Sequence, residues 1–140
     1  MGFQVLRLDD ATWEERPNHA GQLRHAVDVT SAGELTQSRA RVWRYPPRTR
    51  GRRHAEGAQE EVFVVLEGTL TMLLGDPPER VDLPPRTVVT VQPGTGIQMR
   101  NETDDDVVVF AYGAPPVTGE AEFLDDVEAP PAAPDQDARA

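Results

Sequence analysis

Short runs of β-branched and other apolar residues, each bounded by turn residues, recur along almost the whole chain. Such runs predict strands, and breakers such as Pro46-Pro47 and Pro84-Pro85 separate them. No window shows the 3.6-residue apolar spacing of an amphipathic helix. The pattern predicts an all-β antiparallel sandwich or barrel with almost no helix. The nine predicted strands span residues 3–8, 23–29, 38–45, 61–66, 69–74, 80–83, 87–91, 96–100 and 107–112.

The length of 140 residues is that of one domain, which we expect to span residues 1–127. From residue 114 onward the sequence holds seven acidic residues, one basic residue and five of the 13 prolines. A segment of this composition buries too little apolar surface to offset its chain entropy, so we expect disorder over residues 128–140. Phe123 and Leu124 are the apolar exceptions, and we expect them to dock the start of this tail on the domain.

Composition excludes several classes of function. The absence of cysteine excludes disulfides, thiolate metal sites and cysteine nucleophiles. No apolar run approaches the ~18 residues that span a bilayer, and the N-terminal residues do not resemble a signal peptide. The net charge of −10 argues against binding to nucleic acid. We therefore expect a cytoplasmic protein whose partners include neither nucleic acid nor a membrane.

Arginine is concentrated in one part of the chain. All 14 basic residues are arginine, and seven of them lie between residues 39 and 53. The simpler interpretation is a solvated strand face followed by a loop, because charge runs are usually solvated. The alternative is a rim that attracts anionic ligands.

Three candidate chemical groups lie close together in the middle of the sequence. His54 and Glu56 are two residues apart, so on a strand their side chains leave the same face. Gly57 can reverse the chain, and Glu61 then begins the next strand in phase with Phe63. One imidazole and two carboxylates are therefore predicted to converge inside the mouth of a barrel.

This segment resembles the cupin superfamily. The first motif of the family reads H-x-H, three or four residues, E, six residues, G, and the second reads P-x-G, two residues, H, three residues, N. The chain matches these motifs at His54, Glu61, Gly68, Gly94 and Asn101. The resemblance covers roughly residues 39–112 and implies a cupin-type antiparallel β-barrel or jelly roll.

The resemblance also implies candidate metal ligands. Metal-binding cupins typically use three histidines and the glutamate; here Glu56 takes the second histidine position and Ile97 the third. Two hypotheses follow. Either no metal or only weak metal binding occurs, and His54, Glu56 and Glu61 act as general acids or bases. Or the same three residues bind a divalent metal, for which Mn or Fe(II) suits the oxygen-rich ligands better than Zn or Cu.

The predicted interior is mostly apolar, which favours a small-molecule ligand. The residues expected to line its pocket are Phe63, Val65, Met72, Ile97 and Met99. Three functions remain open: a small-molecule-binding, sensing or acid–base cupin; a metal-dependent dioxygenase, isomerase or cyclase; and a structural homodimer without a ligand. Family members commonly dimerise, and the strand at residues 39–45 is a candidate edge. The sequence does not decide whether the protein is an enzyme.

Overall fold

The computed structural model describes residues 2–116 and 121–132. Within them the chain forms eleven strands and one helical turn. The helical turn is α1 (Val29–Ala32), between the second and third strands. The strands are β1 (Glu14–Pro17), β2 (Leu23–Asp28), β3 (Arg39–Tyr45), β4 (His54–Ala55), β5 (Glu60–Glu67), β6 (Leu70–Leu74), β7 (Glu79–Leu83), β8 (Val88–Val91), β9 (Gly96–Arg100), β10 (Val107–Ala114) and β11 (Glu122–Phe123).

Two antiparallel sheets contain all of these strands. The first has the order β1-β2-β3-β10-β5-β8, and the second has the order β11-β4-β9-β6-β7. The sheets face each other without closing into a continuous barrel. The predicted all-β antiparallel fold is therefore confirmed, in its sandwich form.

Strand β10 fixes the inner face of the first sheet, because it pairs with β3 on one side and β5 on the other. Directly paired residues project to the same side of a sheet. Ala111 pairs with both Arg41 and Phe63, so these three side chains form one row across the inner face. This register places charged and apolar side chains of different strands next to each other.

The apolar core lies at one end of the sandwich. Its fully buried members come from both sheets, which shows that the sheets pack directly against each other there; they include Tyr45, Phe63, Val65, Leu70, Met72, Ile97, Val107 and Val109. Burying side chains of this size contributes about 1.5–3 kcal/mol each to folding.

Asn101 and Gly68, which match the family motifs, stabilise turns at the end of the sandwich that the core fills, here called the closed end. The buried Asn101 amide donates hydrogen bonds to the carbonyl oxygens of Tyr45 and Asp105, at 2.8 and 2.7 Å. Gly68 has φ +73°, and its Cα lies so close to Asp106 that a side chain has no room. The motif match at these positions therefore reflects the fold.

The N-terminal segment differs from its prediction. Residues 3–8 form no strand; instead Leu6 and Leu8 pack with Trp13 on the outer face of the first sheet, while Phe3 and Val5 remain exposed. The alternation in this segment reflects one-sided packing of an irregular chain, which sequence periodicity alone does not distinguish from a strand.

Strand β3 lies between β2 and β10, so the prediction that it forms a sheet edge was wrong. The predicted disordered tail falls largely on residues 133–140, which lie outside the described residues. Over the part of the chain that the structure describes, no helix is long and apolar enough to span a membrane.

Gly68 and Gly94 have similar positive φ angles, but Gly68 lies against Asp106 whereas Gly94 has open space around it. Alanine substitutions at the two positions therefore test the packing at Gly68. We expect Gly94→Ala to lower the free energy of unfolding by about 1 kcal/mol, because Gly94 has φ +83° but open space around it. Gly68→Ala should cost about 3 kcal/mol or more, since an added Cβ would also meet the Asp106 carbonyl oxygen. Urea denaturation of both variants measures the difference; equal losses would contradict the packing described here.

Candidate functional site

A pocket of about 560 Å³ lies between the two sheets, beside the apolar core. Its apolar surface comes from Phe63, Ile97 and Met99, together with Ala111 and Trp43. Its charged side chains come from both sheets and the segments around them: Arg24, Asp28, Arg39, Arg41, Arg52, His54, Glu56 and Glu61. The pocket therefore combines an apolar interior with cationic and anionic groups.

The His54 ring is oriented by the backbone. Its Nδ1 lies 2.8 Å from the carbonyl oxygen of Arg52, which can only accept a hydrogen bond, so Nδ1 carries the proton. Nε2 then lies 3.9 Å from Oε1 of Glu56, too far for a direct hydrogen bond. In the neutral ring Nε2 is an acceptor, so a donor group of a ligand could bridge these two atoms.

Glu61 begins the inner face of β5 and is the most perturbed carboxyl of the site. Burial raises its pKa to about 7, and the negative charge of nearby Glu56 acts in the same direction. Arg39 opposes both effects without cancelling them. Glu61 therefore exchanges its proton in the neutral pH range, as a general acid or base requires.

Arginines and aromatic rings of β2 and β3 form the part of the pocket wall that lies across β10 from Glu61. The Arg24 guanidinium lies 4.6 Å from the Trp43 ring centre and donates to the Tyr45 hydroxyl at 3.0 Å. The Arg41 guanidinium lies 5.6 Å from the same ring centre. Such cation–π contacts hold the guanidinium groups against the wall.

The side chains present do not fit a resident metal ion. Across residues 2–116 and 121–132, no three His, Asp or Glu side chains converge closely enough to hold one. Ile97 pairs directly with His54 and offers only an alkyl group. Gln98 faces the opposite side of its strand, where its amide donates to the Gly51 carbonyl oxygen at 2.9 Å.

Most of the residues singled out in the sequence lie together in this pocket. His54, Glu56 and Glu61 line it, as do three of the five predicted apolar residues: Phe63, Ile97 and Met99. The other two, Val65 and Met72, belong to the core beside the pocket.

Sequence reasoning missed the contribution of β2 and β3. Arg24, Arg39, Arg41 and Trp43 line the pocket, whereas the favoured interpretation of the arginine cluster was a solvated face. For β3 a signal was present: side chains two residues apart on a strand share a face, which places Arg39, Arg41 and Trp43 on the same face as the buried Tyr45.

The C-terminal segment completes the pocket mouth. Residues 121–130, here called the C-terminal strap, begin with Ala121 and Phe123 in the pocket lining. Phe123 pairs with His54 through β11 and β4, and the Arg52 guanidinium lies 3.9 Å from its ring centre. These contacts agree with the predicted docking of Phe123, and the Leu124 N–H donates to the Arg53 carbonyl oxygen at 2.9 Å, as docking of Leu124 requires.

Arginines on the outer side of the second sheet hold the rest of the strap. They donate to its backbone carbonyl oxygens in three hydrogen bonds, from Arg53 to Asp125, from Arg100 to Val127 and from Arg80 to Pro130. The side chain of Asp126 contacts His19 and Arg50, at 3.1 and 3.2 Å. These repeated contacts fix the strap in place although four of its ten residues are acidic.

Comparison with protein families gives a direct match to this region. The family model of the cupin domain matches residues 41–112, which include β4, β5 and β9 and with them the centre of the pocket. No curated protein matches the sequence.

Solved structures share the fold at low sequence identity. A predicted oxalate decarboxylase from Thermotoga maritima is 17% identical with a TM-score of 0.70, covering 79% of this chain and 98% of that one. A sugar phosphate isomerase from Silicibacter pomeroyi is 22% identical with a TM-score of 0.66, covering 79% and 75%. The polyketide cyclase RemF from Streptomyces resistomycificus is 12% identical with a TM-score of 0.71, covering 89% and 87%. At these identities the similarity establishes the fold alone.

The raised pKa of Glu61 predicts a pH-dependent stability. Its folded-state value of about 7 exceeds the ordinary value of 4.5, so its contribution is present at pH 4 and is lost as the pH rises to about 7. We expect Glu61→Gln to be more stable than the wild type at pH 8, by about 1 kcal/mol because the carboxyl is partly solvated.

Urea denaturation between pH 5 and pH 8 measures this effect. The matched control is Glu60→Gln, which removes the same charge from an exposed neighbour on the same strand. If both variants keep the pH dependence of the wild type, the assignment of this titration to Glu61 is wrong.

Proposed function

The chain belongs to the cupin superfamily, and on that premise we propose that it binds a small organic molecule in the pocket between its two sheets, where Glu61 exchanges a proton with it. The pocket volume of about 560 Å³ carries this proposal. Small-molecule sites typically have volumes of about 300–1,000 Å³, an apolar lining and a few polar groups that orient the ligand. The lining described above has this composition.

The pocket stays open because a small residue and charged residues line it. Ala111 on β10 is too small to fill the space between Arg41 and Phe63, and the neighbouring charged side chains resist collapse. Burying an unpaired charged group in an apolar interior costs several kcal/mol, so Arg41 and Glu61 favour a hydrated or ligand-filled space.

The acid–base chemistry follows from the arrangement of three groups. Glu61 holds or releases a proton near pH 7, while Glu56 beside it favours the protonated form. The Nε2 atom of His54 accepts a hydrogen bond in the neutral ring, next to the Glu56 carboxylate. A ligand hydroxyl or acidic C–H group at this position would therefore meet both a proton acceptor and a hydrogen-bond acceptor.

Filling the pocket tests whether it is the binding site. We expect Ala111→Phe to abolish binding of fragment-library hits identified with the wild-type protein by ligand-observed NMR, because the new ring would occupy the space between Arg41 and Phe63. Thr90→Phe adds the same ring at an exposed strand position and should leave binding unchanged. Hits that bind both variants equally would place the ligand elsewhere, and the melting temperature of each variant shows whether it is folded.

Metal analysis tests the competing metalloenzyme hypothesis. We expect protein purified without a metal-affinity tag to contain far less than one Fe or Mn per chain, because within the described part of the chain the side chains around His54 do not form a three-ligand cluster. Mn(II) and EDTA should leave the melting temperature unchanged. Stoichiometric metal that is lost in His54→Ala would overturn the proposal in favour of the metalloenzyme.

A further inference from the structure

The inner face of β3 carries two guanidinium groups into the pocket. Arg39 and Arg41 are two residues apart and both line it, with Arg39 exposed and Arg41 partly buried. Among the described residues, no carboxylate oxygen lies within 4.0 Å of either guanidinium group. Residues 2–116 and 121–132 thus place two arginines at a ligand-sized space without giving either of them an ion-pair partner.

The natural partner of Arg41 is already engaged. Asp28 pairs with Arg41 across the strands, yet its two carboxylate oxygens accept hydrogen bonds from the backbone N–H and the hydroxyl of Ser31. These bonds cap the first turn of α1 and hold the carboxylate there.

The charge of Arg41 is also poorly compensated by its other neighbours. Burial lowers its pKa, and the positive charges of Arg16 and Arg39 act in the same direction, against weaker support from Asp28 and Glu14. An additional negative group at this wall would therefore be bound favourably. A guanidinium group presents its donors in a planar fork that matches the two oxygens of a carboxylate.

Of the acidic groups, Glu61 lies on β5, across β10 from these arginines in the same sheet, and Glu56 follows β4 of the second sheet. Arg39 and Glu61 flank Gly113 in one row of the inner face, and the buried side chain of Gln59 covers Gly113 between them. A ligand that lies along the neighbouring row, from Arg41 over Ala111 to Phe63, would have one end at the arginines and the other directed toward Glu61 and Glu56. Its middle would lie on the apolar surface around Phe63.

Resting on the function proposed above, we infer that the pocket selects organic carboxylates, whose carboxylate group lies against Arg41 and Arg39 while the body of the ligand lies on Phe63. A monoanion fits better than a phosphate monoester. The second negative charge of a phosphate would be repelled by Asp28, Glu56 and Glu61, which line the same pocket.

Matched ligands test this selectivity directly. The probes are a fragment library of triplets in which each ring scaffold carries a carboxylate, a carboxamide or a phosphate, such as benzoate, benzamide and phenyl phosphate. We expect the carboxylates to bind about tenfold or more tightly than their amides at pH 7, measured by NMR titration, because only they form charge-assisted hydrogen bonds with Arg41.

Substitutions in β3 test whether the arginines of the pocket cause the preference for carboxylates over amides. Arg41→Gln should weaken carboxylate binding about ten- to a hundredfold and leave amide binding nearly unchanged. Arg44→Gln is the matched control: it removes the same charge from the same strand, but on the outer face, where Arg44 lies over Trp13 at 4.0 Å. If Arg41→Gln does not fold, Arg39→Gln serves in its place, with a smaller expected loss because Arg39 is exposed.

The outcomes separate this inference from the function on which it rests. Amides that bind as tightly as carboxylates, or phosphates that bind more tightly, would overturn the carboxylate selectivity while small-molecule binding stands. Equal losses of carboxylate affinity in Arg41→Gln and Arg44→Gln would also overturn the carboxylate selectivity while small-molecule binding stands. If no member of any triplet binds, the proposed function fails and the inference fails with it.

Discussion

The register of β10 between β3 and β5 is the constraint on which the rest of the structure depends. Side chains alternate between the two faces of a strand, so a shift of one residue would move a whole set of side chains to the other face. In the observed register Ala111 pairs with Arg41 on one side and Phe63 on the other, and Gly113 pairs in the same way with Arg39 and Glu61. The first sheet therefore has a single inner face that is apolar at one end and charged at the other.

This division explains why a core and a pocket coexist between the same sheets. At the closed end, residues such as Tyr45 and Val107 are fully buried and fill the space. At the other end Arg41 and Glu61 carry charges and Ala111 has a small side chain, which leaves space for the pocket between the sheets. The stability lost there has to be supplied by the core, a common relation between a binding site and its scaffold.

The sequence predicted those parts of the fold and site that depend on local spacing. Period-2 alternation placed Glu61 and Phe63 on one face, and the motif around His54 brought the acid–base residues together. It did not predict the two-residue strands β4 and β11, because their pairing depends on contacts distant in sequence. The arginine wall was underestimated for a related reason: charge runs are usually solvated, and only the sheet pairing shows that Arg41 faces the interior.

The replacement of a metal ligand by Ile97 changes what the site can recognise. A metal ion would attract anionic groups of a ligand to the centre of the pocket, whereas Ile97 and Phe63 form an apolar surface there. The positive charge of the pocket comes instead from arginines, on β2 and β3 of the first sheet and, for Arg52, just before β4. In the function proposed here, anion recognition and proton transfer belong to two strands of one sheet, β3 and β5, and Glu61 keeps a pKa of about 7 that a metal ion close by would have lowered.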